Sequence, residues 1–61
     1  MTGIKVIVNG GKDEFYADEN CQHYTFVTNG VLQVYAKSPG LDQLVASYAP
    51  GRWVQAVQIN E

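Results

Sequence analysis

Hydrophobic and polar positions along this chain alternate with a period of two in several short segments, which is typical of β-strands. Residues 4–8 are a β-branched run broken by one lysine, and residues 14–17 form a shorter apolar segment. Residues 24–28 and 31–36 lie on either side of an Asn-Gly dipeptide, and residues 53–59 form the last alternating run. The pattern predicts a strand at each of these five places.

Two Asn-Gly dipeptides, Asn9-Gly10 and Asn29-Gly30, predict tight hairpins, because both residue types accept the positive φ angles of a type I′ turn. At the second turn this fixes a register, in which Thr28 pairs with Val31 and Tyr24 with Tyr35. One face of that hairpin then carries His23, Thr25, Val27, Leu32, Val34 and Ala36. The other face carries Tyr24, Phe26, Thr28, Val31, Gln33 and Tyr35. Neither face is polar, so the hairpin is expected to be central in a curved sheet or to need a second covering surface.

Residues 41–49 are ambiguous. Leucine, valine and tyrosine recur there at helical spacing, and Pro50-Gly51 would end a helix. The competing interpretation is a strand from about 44 to 49, which would extend the preceding hairpin. We predict a single all-β domain over residues 1–61, an antiparallel meander of five or six short strands forming a curved sheet or a small open barrel. The alternative is an α+β fold with one short helix near 41–49.

Size and charge narrow the class of protein. The chain has 61 residues, a formal charge of −2 and one cysteine. It lacks both an apolar run of about 18 residues, which a membrane span needs, and a basic region followed by a long apolar core. We therefore expect no membrane association and a cytoplasmic location. A core this small has no disulfide to reinforce it, so we expect a homo-oligomer in which a second copy covers apolar surface.

Residues that could carry chemistry are few. Cys21 and His23 are the only cysteine and histidine, and nothing else in the chain is marked as an orienting group or oxyanion donor. A metal site that adds Asp18 or Glu19 would fall short of the four Cys or His ligands that structural zinc normally takes. The run Gly10-Gly11-Lys12 lacks the spacing of a phosphate loop. We predict no enzyme, no metal and no cofactor.

Four of the six acidic residues lie within seven positions. They are Asp13, Glu14, Asp18 and Glu19. Such a cluster would suit a basic protein partner, although charge runs are more often a solvated rim.

Aromatic residues are the stronger candidates for binding, because tyrosine and tryptophan are enriched where proteins meet. The predicted protein interface consists of Tyr24, Phe26, Tyr35, Tyr48 and Trp53. Aromatic side chains on a sheet also stack unpaired bases, so the alternative function is a small β-barrel that binds single-stranded nucleic acid. The four basic residues are scattered at Lys5, Lys12, Lys37 and Arg52. That scatter makes nucleic acid the weaker hypothesis.

The C-terminal half contains the run Asn-Gly-Val-Leu-Gln-Val-Tyr at 29–35 and the run Ala-Ser-Tyr-Ala-Pro-Gly-Arg-Trp at 46–53. With these two runs it resembles small uncharacterised β-rich proteins encoded by phages of actinobacteria. It implies that 44–49 is a strand and that the chain is a short phage accessory product. The hypothesis is a non-enzymatic protein-binding module, self-associating, that joins the virion or modulates a host protein in the host cytoplasm.

Overall fold

Six short antiparallel strands make up the described part of the chain, and the computed structural model describes residues 2–19 and 21–60. The strands are β1 (Thr2–Val8), β2 (Glu14–Ala17), β3 (His23–Thr28), β4 (Val31–Ala36), β5 (Gln43–Tyr48) and β6 (Trp53–Asn60). No helix occurs within those two ranges. The predicted all-β class is confirmed.

The strands divide between two sheets, which do not close into a barrel. Sheet A has the order β2-β1-β6, and sheet B has the order β3-β4-β5. The chain forms the β1–β2 hairpin, crosses to sheet B for three successive strands, and returns to sheet A with β6, which pairs with β1. The extents are 32 × 26 × 13 Å, and the thin direction suits two stacked layers.

The core lies between the two central strands, β1 and β4. Ile4 and Val6 from β1 face Leu32 and Val34 from β4, and all four side chains are buried. The side chains that pack against this cluster are Val8, Tyr16, Ala46, Tyr48, Trp53 and Ala56. Each sheet therefore contributes one strand whose alternate residues are apolar and enclosed, as the period-two pattern predicts.

The Asn29-Gly30 turn joins β3 to β4 as predicted. Its φ angles are 52° at Asn29 and 80° at Gly30, the positive pair that a type I′ turn requires. Tyr24 pairs with Tyr35 and Thr28 with Val31 in the predicted register. The buried face of the hairpin carries Leu32, Val34 and Ala36. The assignment of residues to the two faces is thus confirmed.

The hairpin predicted at Asn9-Gly10 forms between β1 and β2, but its turn is not of type I′. Among the described non-glycine residues only Asn29 has a positive φ, so Asn9 does not adopt the required conformation. The end of β1 instead contacts the β5–β6 turn. Asn9 donates its backbone N–H to the Arg52 carbonyl at 2.9 Å and its side-chain Nδ2 to the Gly51 carbonyl at 3.1 Å. These bonds draw the dipeptide away from β2, whose pairing with β1 begins at Val6 and Glu14.

The strand at residues 53–59 is present, but the alternation in its sequence, which predicts Trp53, Val57 and Ile59 on one face, gives the wrong faces. Val8 pairs with Trp53 while Ile7 pairs with Gln55, so Val54 is an extra residue in a β-bulge. The bulge reverses the alternation, because one inserted residue exchanges the two faces of a strand. Trp53 therefore packs against the core, whereas Val57 lies on the outer face of sheet A.

The segment 41–49 contains a strand, Gln43–Tyr48, rather than a helix, which confirms the preferred interpretation. β5 pairs with β4, and its register shifts so that Val34 faces Ala46 while Tyr35 faces Leu44. Val45 is the extra residue of this second bulge. It breaks the period of two, and this explains why the segment has helical spacing in the sequence.

Candidate functional site

The outer face of sheet B carries the aromatic residues that the sequence marked for binding, and we call it the aromatic face. Its members alternate with the buried residues along β3, β4 and β5. They are Tyr24, Phe26, Thr28, Val31, Gln33, Tyr35, Leu44 and Ser47. None of these side chains is charged. Phe26 on β3 is 55% exposed and Leu44 on β5 is 52% exposed, so large apolar groups are open to solvent on both edge strands of the face.

Tyr24 and Tyr35 form a stacked pair on this face. Their ring centroids are 5.3 Å apart and the rings lie within 10° of parallel. The Tyr24 hydroxyl donates to Asp42 Oδ2 at 2.8 Å, and the Tyr35 hydroxyl donates to Gln33 Oε1 at 3.1 Å. The hydrogen bond to Asp42, with some desolvation, raises the pKa of Tyr24 above its ordinary value. Both rings are thus held in place, and little conformational entropy remains to be lost on binding.

Two charges of opposite sign mark one end of the aromatic face. Asp42 binds the Tyr24 hydroxyl, and Lys37 Nζ lies 6.0 Å from the centroid of the Tyr24 ring. Sequence reasoning missed Asp42 and also Leu44. The missing signal was the β4–β5 register, which brings Leu44 opposite Tyr35.

Tyr48 and Trp53 do not lie on the aromatic face. The Tyr48 hydroxyl shares a 2.6 Å hydrogen bond with the Tyr16 hydroxyl and so links β5 to β2 across the two sheets. Trp53 packs against the core and donates Nε1 to the Gly30 carbonyl at 3.0 Å. Burial and the Tyr16 hydroxyl raise the pKa of Tyr48 above its ordinary value. The five predicted interface residues therefore separate into three on one surface and two that hold the sheets together.

The four acidic residues do not form a uniform patch. Asp18 is largely enclosed, with 12% of its side chain exposed, and it accepts the His23 backbone N–H at 3.0 Å. Asp13 Oδ2 lies 3.7 Å from Lys5 Nζ. Glu14 and Glu19 are exposed. Asp18 stabilises the connection between β2 and β3 through its bond to His23, so the cluster presents fewer free charges than the sequence indicates.

His23 lies beside Asp18 and Tyr16. Its Nδ1 is 3.1 Å from Asp18 Oδ1, which favours the tautomer that carries a proton on Nδ1, and its ring centroid is 6.0 Å from that of Tyr16. His23 lines a groove between β3 and β6, whereas Cys21 lines a separate depression beside Lys37. His23 and Cys21, the two residues considered for catalysis, thus line different depressions of the surface.

No family model matches this chain, and neither a curated protein nor a solved structure matches it. Across residues 2–19 and 21–60, no three His, Cys, Asp or Glu side chains are grouped so that they could hold a metal ion. In the same part of the chain no helix is long and apolar enough to cross a membrane. The aromatic face combines a stacked tyrosine pair with an exposed phenylalanine, and we take it as the candidate binding site.

Proposed function

We propose that this chain is a non-enzymatic protein-binding module, and that its aromatic face binds an uncharged, apolar surface of another protein. The observation that carries the proposal is the stacked Tyr24–Tyr35 pair beside the exposed Phe26 ring, on a face with no charged side chain. Rigid aromatic side chains of this kind are the residues that contribute most to binding energy in protein interfaces.

The absence of charge on this face sets the chemistry of the partner. A charged group brought against Phe26 would lose its hydration without gaining a counter-ion, which costs several kcal/mol. Lys37 and Asp42 lie only at one end, beside Tyr24. A partner with an apolar centre and a polar rim at that end fits best, and the two rim charges would set its orientation.

The dimensions of the face limit the affinity. Three strands about 4.8 Å apart, each about six residues long, present roughly 14 × 20 Å. That is about 300 Å² in flat projection, against about 800 Å² per partner in a standard interface. We therefore expect binding in the micromolar range unless the partner also contacts the rim.

The test compares two phenylalanines of similar exposure on the two sheets. Phe26 is 55% exposed on the aromatic face, and Phe15 is 44% exposed on sheet A. Tagged wild-type chain, Phe26→Ser and Phe15→Ser are used to capture proteins from phage-infected actinobacterial lysate and from purified virions, the two sources that the resemblance indicates. The expected result is a protein retained by wild type and Phe15→Ser and lost with Phe26→Ser. If no retained protein depends on Phe26, the proposal is wrong.

The alternative, binding of single-stranded nucleic acid, has one observation in its favour. Stacked Tyr24 and Tyr35 with Lys37 beside them are the elements of a base-stacking platform. One lysine supplies little phosphate neutralisation, and Lys5 lies on the other sheet. Titration with a single-stranded oligonucleotide at low salt, followed by tyrosine fluorescence, distinguishes the two. A change that added salt reverses would favour nucleic acid over a protein partner.

A further inference from the structure

The open arrangement of the two sheets leaves four edge strands, namely β2 and β6 in sheet A and β3 and β5 in sheet B. The outer side of an edge strand presents unpaired N–H and C=O groups, to which the strand of another chain can add. Natural proteins protect such edges with charges, prolines, bulges or short strands. The four edges of this chain differ sharply in that protection.

Three of the edges are protected. β2 is four residues long, begins at Glu14 and is followed by Asp18. On β3, the Asp18 carboxylate already accepts the outward N–H of His23. β5 is broken by the bulge at Val45 and is preceded by Asp42.

β6 lacks these devices. It is eight residues long, and its sequence WVQAVQIN has no charged residue and no proline. Its bulge lies at the beginning, at Val54, so the strand is regular from Gln55 to Asn60. A long, neutral and regular edge is the kind that pairs with a further strand.

The backbone groups that β6 leaves free follow from the ladder geometry. Asp18 donates its N–H to the Thr2 carbonyl, so Thr2 directs its backbone groups to β2. Directions alternate along a strand, and Gly3, Lys5 and Ile7 therefore direct theirs to β6. Their partners on β6 are Ile59, Val57 and Gln55. The residues between those partners, Ala56, Gln58 and Asn60, must direct their N–H and C=O groups outward.

The space beside this edge is open. A groove of about 360 Å³ separates β6 from β3 and is lined by three consecutive residues of each strand. Consecutive residues line a groove only along a strand edge, because the residues on one face alternate. The outward groups of Ala56 and Gln58 thus lie at this open groove, whose other wall is β3.

We infer that β6 is the surface through which two copies of this chain associate, by antiparallel pairing of β6 with β6 about a twofold axis at Val57. In this register Val57 lies opposite Val57 of the second copy, Ala56 opposite Gln58, and Gln55 opposite Ile59. The pairing joins the two A sheets into one sheet of six strands. It rests on the self-association that the sequence predicts and leaves the aromatic face free.

The absence of charge on β6 makes its edge compatible with a second copy of itself. A twofold axis places each side chain near its own symmetry mate, so a charged edge would meet the same charge. β6 has no charge to repel itself. The register centred on Val57 also pairs the regular residues 55–59 with their counterparts and uses the outward backbone groups of Ala56 and Gln58.

The first test is a crosslink. Val57 directs its backbone N–H and C=O to β1 and not to the second copy. The two Val57 residues would therefore form a non-hydrogen-bonded pair with Cα atoms about 4.5 Å apart, which is within disulfide range. In a Cys21→Ser background, Val57→Cys is expected to give a covalent dimer under mild oxidation. Gln55→Cys, on the same face, is expected to remain monomeric, since its symmetry mate would be about 13 Å away. Equal crosslinking of both variants, or of neither, overturns the inference.

The second test uses charge at two strand edges. Gln58→Lys on β6 is expected to raise the dimer dissociation constant at least tenfold in sedimentation equilibrium. Gln43→Lys, an exposed glutamine of edge strand β5, is the matched control and is expected to leave it unchanged. A wild-type chain that remains monomeric at millimolar concentration, or equal effects of both lysines, overturns the inference.

The two proposals fail separately. Phe26→Ser is expected to lose the captured partner and to keep the β6 dimer. A dimer that survives while no partner depends on Phe26 overturns the proposed function alone. Phe26-dependent capture by a chain that forms no dimer overturns the β6 inference alone.

Discussion

Sheets A and B each have three strands, of which the central one is enclosed. The aromatic side chains on their outer faces, however, have different surroundings. On sheet A the Phe15 ring lies over Gly3, where a Cβ atom would come within 2.9 Å of Phe15 Cζ. Lys5 on the same face is paired with Asp13. On sheet B the aromatic rings of Tyr24 and Tyr35 stack on each other and leave Phe26 open. Sheet A uses its aromatic ring to complete its own packing, whereas sheet B presents its aromatic rings outward.

The largest effect is expected where sheet A is most tightly closed. Gly3→Ala would place a methyl group against the Tyr16 carbonyl oxygen and the Phe15 ring. We expect a loss of about 3 kcal/mol in the free energy of unfolding, because backbone atoms cannot move aside. Urea denaturation measures it.

Gly11→Ala is the control for that change, since its Cβ would meet only the Val8 side chain, at 3.1 Å. We expect a loss of less than about 1 kcal/mol. Equal losses for the two alanines would show that Gly3 is not specially enclosed.

The two Asn-Gly turns provide the second prediction. Gly30 and Gly10 both have φ near 80°, but only Gly30 would bring a Cβ against Pro50, at 3.2 Å. We expect Gly30→Ala to cost about 2 kcal/mol and Gly10→Ala about 1 kcal/mol, the second being the ordinary cost of a left-handed alanine. Thermal unfolding of both variants measures the difference. Equal costs would mean that Pro50 moves aside freely.

The Tyr16–Tyr48 hydrogen bond between the two sheets provides the third prediction. Tyr48→Phe leaves the Tyr16 hydroxyl without its partner and is expected to cost about 1 kcal/mol at pH 7. Tyr35→Phe, which removes a hydroxyl bond within sheet B alone, is the control and is expected to cost less than about 0.5 kcal/mol.

The same tyrosine predicts a pH dependence. Burial, followed by the Tyr16 hydroxyl, raises the pKa of Tyr48 above its ordinary 10.0, so the folded state retains this proton more strongly than the unfolded state. That contribution to stability is complete below pH 10 and declines as the pH rises further. We expect Tyr48→Phe to show a shallower alkaline decline than wild type in urea titrations. Parallel declines would contradict the assignment.

The smallest effect compares the two exposed phenylalanines directly. Phe15→Ser removes the ring that covers Gly3 and is expected to cost about 1 kcal/mol, because aromatic cover stabilises a glycine in a strand. Phe26→Ser is expected to change stability by less than about 0.5 kcal/mol. Denaturant midpoints measure both. A larger cost at Phe26 would mean that the aromatic face contributes to folding rather than to binding.

The sequence predicted most reliably where structure is local. The β3–β4 hairpin follows from Asn29-Gly30 and alternation alone, so its register and both faces could be predicted residue by residue. A strand at about 44–49 is favoured over a helix because its neighbours are strands, and the structure has it at Gln43–Tyr48. Where the chain makes contacts between distant segments, the same rules failed at Asn9, which binds Gly51 and Arg52 instead of turning directly into β2.

The bulges at Val54 and Val45 explain most of what could not be predicted. A bulge depends on the register between two strands. The sequence of β6 alone therefore does not indicate that Trp53 and Val57 lie on opposite faces. For the candidate site, Tyr24, Phe26 and Tyr35 could be grouped from the hairpin register. Tyr48 could not be excluded from that group without the β4–β5 register.

The pairing of β1 with β6 has a consequence for the order of folding. Thr2 lies opposite Asn60, so sheet A requires the first and last described strands to meet, whereas sheet B joins strands that follow one another directly. Closing so long a loop costs entropy before any contact compensates for it. We therefore expect sheet B to form early and the docking of β6 to limit the folding rate. Until β6 docks, β1 lacks one neighbour, and the nascent chain is most prone to aggregation at that stage.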